Sequence, residues 1–250
     1  MLDASPLGPF ALDAVLGAGA GGRVWRARDL RDGSVCALKL APLADAAACA
    51  RLRNEHELAA DLSHPHLVRA IDAGADECAG VAWLAMECLP GARAQVTPAR
   101  FRQLLLALEH LHARRIVHLD VKPANLLAAR DGALKLADFG IARRAGQGGG
   151  AVHGTPHYMA PEQLRGRALD GRCDVFAAGV VLFELATGRL PFDGTPFEVV
   201  SQVLRGAVVP AGLGRELGQV LRRALAADPG QRFAGGGDFL AAYDAIGGLA

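Results

Sequence analysis

The sequence predicts an α+β fold in two lobes, a small β-rich first lobe with one helix and a larger helical second lobe. Three observations carry this. The first third alternates short apolar runs with glycine and aspartate turns, the pattern of antiparallel strands. Beyond Pro90-Gly91 the character changes to longer helical segments. One of them, "VFAAGVVLFELA" from Val175 to Ala186, suits a buried core helix, being too short for a bilayer and carrying Glu184. The 250 residues suffice for one domain with a sizeable core. The expected boundaries are 10–88 for the first lobe and 89–250 for the second, joined near residues 87–91.

In chain order, "FALDAVLGAGAGGRVWRARD" reads as strand, glycine turn and strand. "SVCALKLA", preceded by Asp32-Gly33, reads as a third strand. Leu52, Leu58, Ala59 and Leu62 recur at helical spacing within "LADAAACARLRNEHELAADL". "HPHLVRAIDAG" and "GVAWLAMECLP" read as two more strands, bounded by Gly74 and Gly91. The second lobe opens on "TPARFRQLLLALEHLHAR", a helix with Thr97 as N-cap and Pro98 in first position. "NLLAA" and "ALKLAD" read as short strands and "ARRAGQGGGAVHGTPHYMAPE" as a loop. Helices follow from about Asp174, then over 196–205, 214–227 and 236–246.

A formal charge of +1 gives no bulk electrostatic reason to bind nucleic acid or an acidic membrane. The N-terminal stretch lacks a basic region followed by an apolar run, so no signal peptide is expected. Cys36, Cys49, Cys78, Cys88 and Cys173 are scattered, without CxxC spacing. They indicate neither a zinc site nor a disulfide frame, and they point to a reducing cytoplasm. The chain has 24 arginines but only three lysines, Lys39, Lys122 and Lys135. A lysine against that background suggests a need for a compact point charge.

Several motifs carry chemistry. "LGAGAGGRV" places Gly17, Gly19 and Gly22 between two strands; a tight hairpin explains this equally well. No helix follows, which disfavours a dinucleotide fold, whereas a strand–glycine loop–strand can close over phosphates. Lys39 ends "CALK" in an apolar strand, and if inward it must pair or neutralise; Glu55 and Glu57 are both candidate partners. "HLDVKPAN" offers Asp120 as a base, Lys122 as a positive clamp and Asn125 as a metal or phosphate ligand. "LADFG" supplies Asp138 on a turn attributed to Gly140. Asn125 and Asp138 are hard oxygen donors suited to Mg²⁺. Taken singly, such motifs are also ordinary Asx turns.

In this order and these contexts, the motifs resemble the protein kinase family, most closely its bacterial Ser/Thr members of eukaryotic type. The resemblance runs from about Phe10 to Tyr243. "GTPHYMAPE", residues 154–162, resembles the substrate-docking loop, with Thr155 in it. "CDVFAAGVVLFELATGRLPF" resembles the central buried helix, with Asp174 bracing the catalytic loop, and Arg232 of "DPGQRF" would pair with Glu162. The spacing to His64 favours Glu55 over Glu57. The resemblance implies ATP and Mg²⁺. Leu16, Val24, Ala37 and Leu127 would sandwich adenine, backbone groups of Glu87 and Leu89 would meet its edge, and Met86 would be gatekeeper. Under the glycine loop, Lys39 braced by Glu55 would hold the α- and β-phosphates. Asp138 and Asn125 would hold Mg²⁺, Asp120 would take the acceptor hydroxyl's proton, and Lys122 would stabilise the γ-phosphoryl charge. His118 would pack structurally near Phe139.

Two departures from the family pattern matter. Leu119 stands where regulated kinases carry an arginine that receives an activation-loop phosphate, and Ile141–Gly154 contains no Ser, Thr or Tyr. Activity independent of loop phosphorylation is therefore expected. Between Gly91 and Thr97 a short helix of the family is missing, which truncates one wall of the substrate groove. The groove is then shallow, or completed by an activating partner protein. Gly21 replaces a frequent aromatic at the glycine-loop tip. The expected activity is transfer to Ser/Thr hydroxyls of proteins, with no nucleic-acid partner and no membrane segment. A kinase-fold scaffold without chemistry and a small-molecule phosphotransferase are the alternative readings.

Overall fold

The computed structural model describes residues 7–19, 22–90, 93–146 and 155–249. The first lobe holds strands β1 (Phe10–Gly19), β2 (Gly22–Asp29), β3 (Val35–Pro42), β4 (Ala70–Asp76) and β5 (Val81–Glu87), with helix α1 (Ala46–Ala59) between β3 and β4. The strands form one antiparallel sheet in the order β1-β2-β3-β5-β4. Alternation along β3 sorts its side chains. Cys36 and Leu38 join Phe10, Ala27, Trp83 and Ala85 in a small core on one face. Ala37 and Lys39 face the interlobe cleft. Helix α1, capped by Asp45 accepting from the Ala48 N–H at 2.9 Å, packs Leu52 against Ala41 and Leu84. Its buried stripe of Leu52, Glu55, Leu58 and Ala59 leaves Glu57 exposed.

The second lobe follows with α2 (Pro98–Ala113), β6 (Ile116–Val117), β7 (Leu126–Ala128), β8 (Leu134–Leu136), β9 (Arg143–Arg144), α3 (Pro161–Leu164), α4 (Arg172–Thr187), α5 (Pro196–Arg205), α6 (Arg215–Ala224) and α7 (Gly236–Ala245). Thr97 caps α2 as expected, accepting from the Arg100 N–H. Helix α4 is buried on every side from Cys173 to Phe183, so it forms the core rather than facing it. Helix α7 lies so close to α2 that a Cβ at Gly236 would stand 2.4 Å from the Glu109 nitrogen. Strands β7 and β8 pair, and so do β6 and β9. The β6–β9 pair carries no readable pattern, since each strand has two residues. No helix among the described residues is long and apolar enough to cross a membrane, and the cysteines are free.

The stretch "HPHLVRAIDAG" becomes strand only from Ala70. Its first part lies along β8 instead: the Val68 N–H donates to the Leu136 carbonyl at 2.9 Å and the Leu136 N–H to His66 at 2.9 Å. Leu58, Leu62 and Leu67 then join the core of the second lobe. The end of α1 is thus anchored below the cleft, which fixes where Glu55 stands. Beside this seam His64 packs on His66 and His110, with ring centroids 5.4 and 4.8 Å apart. Burial, with His110, His66, Lys135 and Arg114 nearby, pushes His64 down to about 4. Burial also lowers His110.

The folded chain therefore binds fewer protons than the unfolded chain between about pH 4 and the ordinary histidine value, and stability must fall as pH drops through that window. Thermal melts from about pH 7.5 to about pH 4.5 should show a steeper loss for the wild type than for His64→Asn.

Candidate active site

Lys39 is the charged residue of β3, and its side chain is buried. Its Nζ lies 2.7 Å from Glu55 Oε2 and 2.8 Å from Asp138 Oδ1. Burial alone would lower the lysine's pKa; the carboxylates of Glu55 and Asp138 outweigh it and hold the ammonium above its usual range. Burial would likewise raise Asp138, but Lys39 holds that carboxyl below the usual carboxylate value. The second oxygen of Glu55 accepts the Phe139 N–H at 3.1 Å. Asn54, next to it on α1, donates to the Ala142 carbonyl at 2.9 Å.

The turn at Asp138 differs from the sequence expectation. The left-handed residue is Asp138 itself, with φ 68°. Aspartate tolerates that region better than most residues. Gly140 gives room instead: a Cβ there would stand 3.1 Å from Asp138 Oδ1, and the carboxylate would have to give by a few tenths of an ångström.

The segment after β6 gathers Asp120, Lys122 and Asn125. The Asn125 amide nitrogen donates to both the carbonyl and Oδ2 of Asp120, each at 2.8 Å. Lys122 Nζ lies 2.9 Å from Asp120 Oδ1. His118 is fully buried and sets its ring edge-on to Phe139 at 5.0 Å. Its Nδ1 accepts the Asp120 N–H at 3.3 Å and its Nε2 donates to the Ala137 carbonyl at 3.2 Å. One imidazole thus ties the two chemistry-bearing segments together.

Asp174, at the start of α4 and 0% exposed, accepts the N–H groups of His118 and Leu119, each at 2.8 Å. Leu119 has φ 67°, a conformation that strains a side chain of this size. Three constraints hold it there: the Asp174 bond, a 3.1 Å bond from Gln163 Nε2 to its carbonyl, and a side chain buried in the main core. Below, Arg232 forms a buried double bond to Glu162, Nη1–Oε1 2.6 Å and Nη2–Oε2 2.9 Å.

The Lys39 and Asp120 clusters open onto one cleft of about 630 Å³. Leu16, Gly17, Gly22, Val24, Ala37, Met86, Glu87, Leu89 and Leu127 line it together with Lys39, Glu55, Asp120, Lys122, Asn125 and Asp138. Gly19 ends β1 opposite Gly22 in the ladder. Gly21, Gly91 and residues 147–154 lie outside the described residues. Thr155 precedes a 3₁₀ turn over Pro156–Tyr158, away from the cleft lining.

Sequence reasoning missed three partners. Lys135, the unassigned third lysine, lies 2.7 Å from Glu87 Oε1 and donates to the Leu67 carbonyl at 3.1 Å. Lysine scarcity marked it without naming its partner. His112 bridges α2, α4 and α7, with Nε2 2.9 Å from Asp174 Oδ2 and Nδ1 accepting the Gly236 N–H at 2.9 Å. Arg93 lines the cleft, and no motif flagged it.

A family model described as the protein kinase domain matches residues 10–234. The chain belongs to the protein kinase family. Among kinase relatives, the probable serine/threonine-protein kinase SCO3848 of Streptomyces coelicolor is 36% identical over 255 residues, covering 90% of this chain and 38% of the relative. Serine/threonine-protein kinase PknB of Mycobacterium tuberculosis is 36% identical over 253 residues, covering 90% and 40%. Serine/threonine-protein kinase PknD of the same species is 35% identical over 274 residues, covering 97% and 40%. The chain thus spans about two-fifths of the length of the curated relatives it matches.

Replacing Asp174 by Ala in this kinase fold would strip the acceptor from two buried N–H groups, at about 1–3 kcal/mol each. Urea unfolding should show a loss of roughly 2–6 kcal/mol, against about 0.5 kcal/mol or less for the exposed Glu57→Ala.

Proposed function

We propose that this kinase domain transfers the γ-phosphoryl group of ATP to serine and threonine hydroxyls of proteins. The observation that carries the proposal is the meeting of two charged triads on one cleft: Lys39 with Glu55 and Asp138, and Asp120 with Lys122 and Asn125. The naming of three relatives as serine/threonine-protein kinases supports the acceptor class.

The donor set fits Mg²⁺. The Asn125 nitrogen is spent on Asp120, which leaves the amide oxygen as the ligand, and Asp138 adds a hard carboxylate. When bound there, Mg²⁺ would neutralise charge on the phosphates. Lys39, kept cationic by two carboxylates, binds phosphate oxygens. Leu16, Val24, Ala37 and Leu127 provide the apolar walls for adenine beneath the Met86 gatekeeper, and Glu87 and Leu89 offer backbone groups at its edge. Asp120, its oxygens held by Asn125 and Lys122, orients the acceptor hydroxyl and takes its proton. Lys122 stays beside the charge that develops on transfer. Thr155 is assigned to the docking of the acceptor segment, and Glu162, Asp174, Arg232, His118 and Phe139 to support.

Activity independent of activation-loop phosphorylation belongs to the same reading. Leu119 is buried where a phosphate receptor would stand. The start of the loop is held without phosphate, by the β6–β9 pairing and by Asn54 on Ala142.

Incubation with labelled MgATP and a generic Ser/Thr protein substrate tests the chemistry. Asp120→Asn and Asp138→Ala should each lower transfer by roughly 10²–10⁴-fold. Wild-type transfer no greater than these controls would leave a binding scaffold, and transfer only to metabolites would favour a small-molecule phosphotransferase. Phosphatase-treated wild type should keep its full rate; a loss restored by phosphate on Thr155 would refute loop independence.

A further inference from the structure

The chain leaves β5 at Glu87 and enters α2 at Pro98, so residues 88–97 make the covalent link between the lobes. Part of that link is fixed against β7. The Ala94 N–H donates to the Leu126 carbonyl at 2.7 Å, and Arg93 pairs with Leu127 in an antiparallel bridge. Ala94 is buried, while Arg93 is exposed and lines the cleft.

Each carboxylate lining the cleft already has a lysine. Glu55 and Asp138 share Lys39, Asp120 has Lys122, and Glu87 has Lys135. The two arginines lining the cleft, Arg51 on α1 and Arg93, enter no ion pair among the described residues, and of the two only Arg93 lies on the link. The lysines assigned to phosphate lie on β3 and beside Asp120, whereas Arg93 sits against Leu127, which the proposed function places under adenine. A guanidinium there has no phosphate assigned to it. Ala124, in the turn after Lys122, also lines the cleft and brings no charge. This edge therefore offers no free carboxylate to a basic substrate side chain, and one planar cation to an acidic one.

We infer that Arg93 is a specificity-determining residue that selects protein substrates with aspartate or glutamate near the acceptor hydroxyl. The guanidinium takes the substrate carboxylate in paired N–H···O bonds, and a basic side chain at the same place meets an unpaired like charge. The inference rests on the Ser/Thr kinase reading above.

The test uses twin serine peptides, identical except for Asp/Glu or Lys/Arg flanks, with a generic protein substrate alongside and the KM for ATP measured in parallel. For the wild type, kcat/KM should favour the acidic twin by about two- to fivefold, the upper part of the scale of one exposed ion pair. Arg93→Ala should level the twins, and Arg93→Glu should reverse the order, with the KM for ATP unchanged in both. Equal use of the twins, preference for the basic twin, or an effect of Arg93→Ala confined to the KM for ATP would overturn the inference while transfer itself continued. Absence of transfer to peptides and generic protein alike would overturn the kinase reading and this inference with it.

Discussion

A lysine ammonium inside a β-sheet lobe is stable only with anions around it, and at Lys39 those anions come from two other parts of the chain. Glu55 arrives on α1 and Asp138 from beyond β8. A single cation therefore fixes how the sheet, the helix and the second lobe meet. Sheet alternation must place Lys39 on the cleft face with Ala37. Helix α1 must turn Glu55 inward, and it does so because Leu52, Leu58 and Ala59 occupy the same stripe. A bare Gly140 after Asp138 leaves the three groups room, since a Cβ there would crowd Asp138 Oδ1 at 3.1 Å. Breaking a buried pair of this kind costs about 3–5 kcal/mol, because the orphaned charge remains in poor solvent.

The lower half of the cleft has its own anchor in Asp174. Two backbone N–H groups converge on that buried carboxylate and His112 reaches it from α2, so the segment carrying Asp120 is built onto the core helix. This makes the left-handed Leu119 tolerable. It also changes what the residue does: an arginine there would project a charge, whereas the leucine adds a core contact. Under the proposed function, control by loop phosphate and rigidity of the segment carrying Asp120 are separate properties of one position, and the buried Leu119 serves the second. The Lys135–Glu87 pair extends the same rigidity to the strand that leads out of the first lobe.

Much of the fold and the cleft was legible because local chemistry and tertiary role coincide. Thr97-Pro98 announces a helix start that the structure keeps. Three lysines among 24 arginines marked sites where a compact cation matters, and all three are ion-paired. Glu55 and Glu57 could not be separated by charge alone, yet helical period buries one and exposes the other. Illegible features depend on distant partners. Strands β6 and β9 have two residues each and exist only by pairing across the chain. His112 gains its place from α7, far along the sequence. The strained residue of the 138–140 turn was misassigned because glycine is the usual suspect, whereas Asp138 takes the strain and Gly140 yields space. Arg93 belongs to no motif, and its isolation shows only once every cleft carboxylate has been matched to its lysine.

The central claim is that Lys39 and Glu55 act as one phosphate-holding unit, the carboxylate working only through the ammonium it positions. A double-mutant cycle on kcat/KM for phosphoryl transfer measures this directly, using Lys39→Met, Glu55→Gln and the double variant. If the two form a unit, the double variant is no slower than Lys39→Met alone, and the whole effect of Glu55→Gln vanishes once the lysine is gone. Losses that multiply in the double variant would contradict it, showing that Glu55 contributes by a route that does not pass through Lys39.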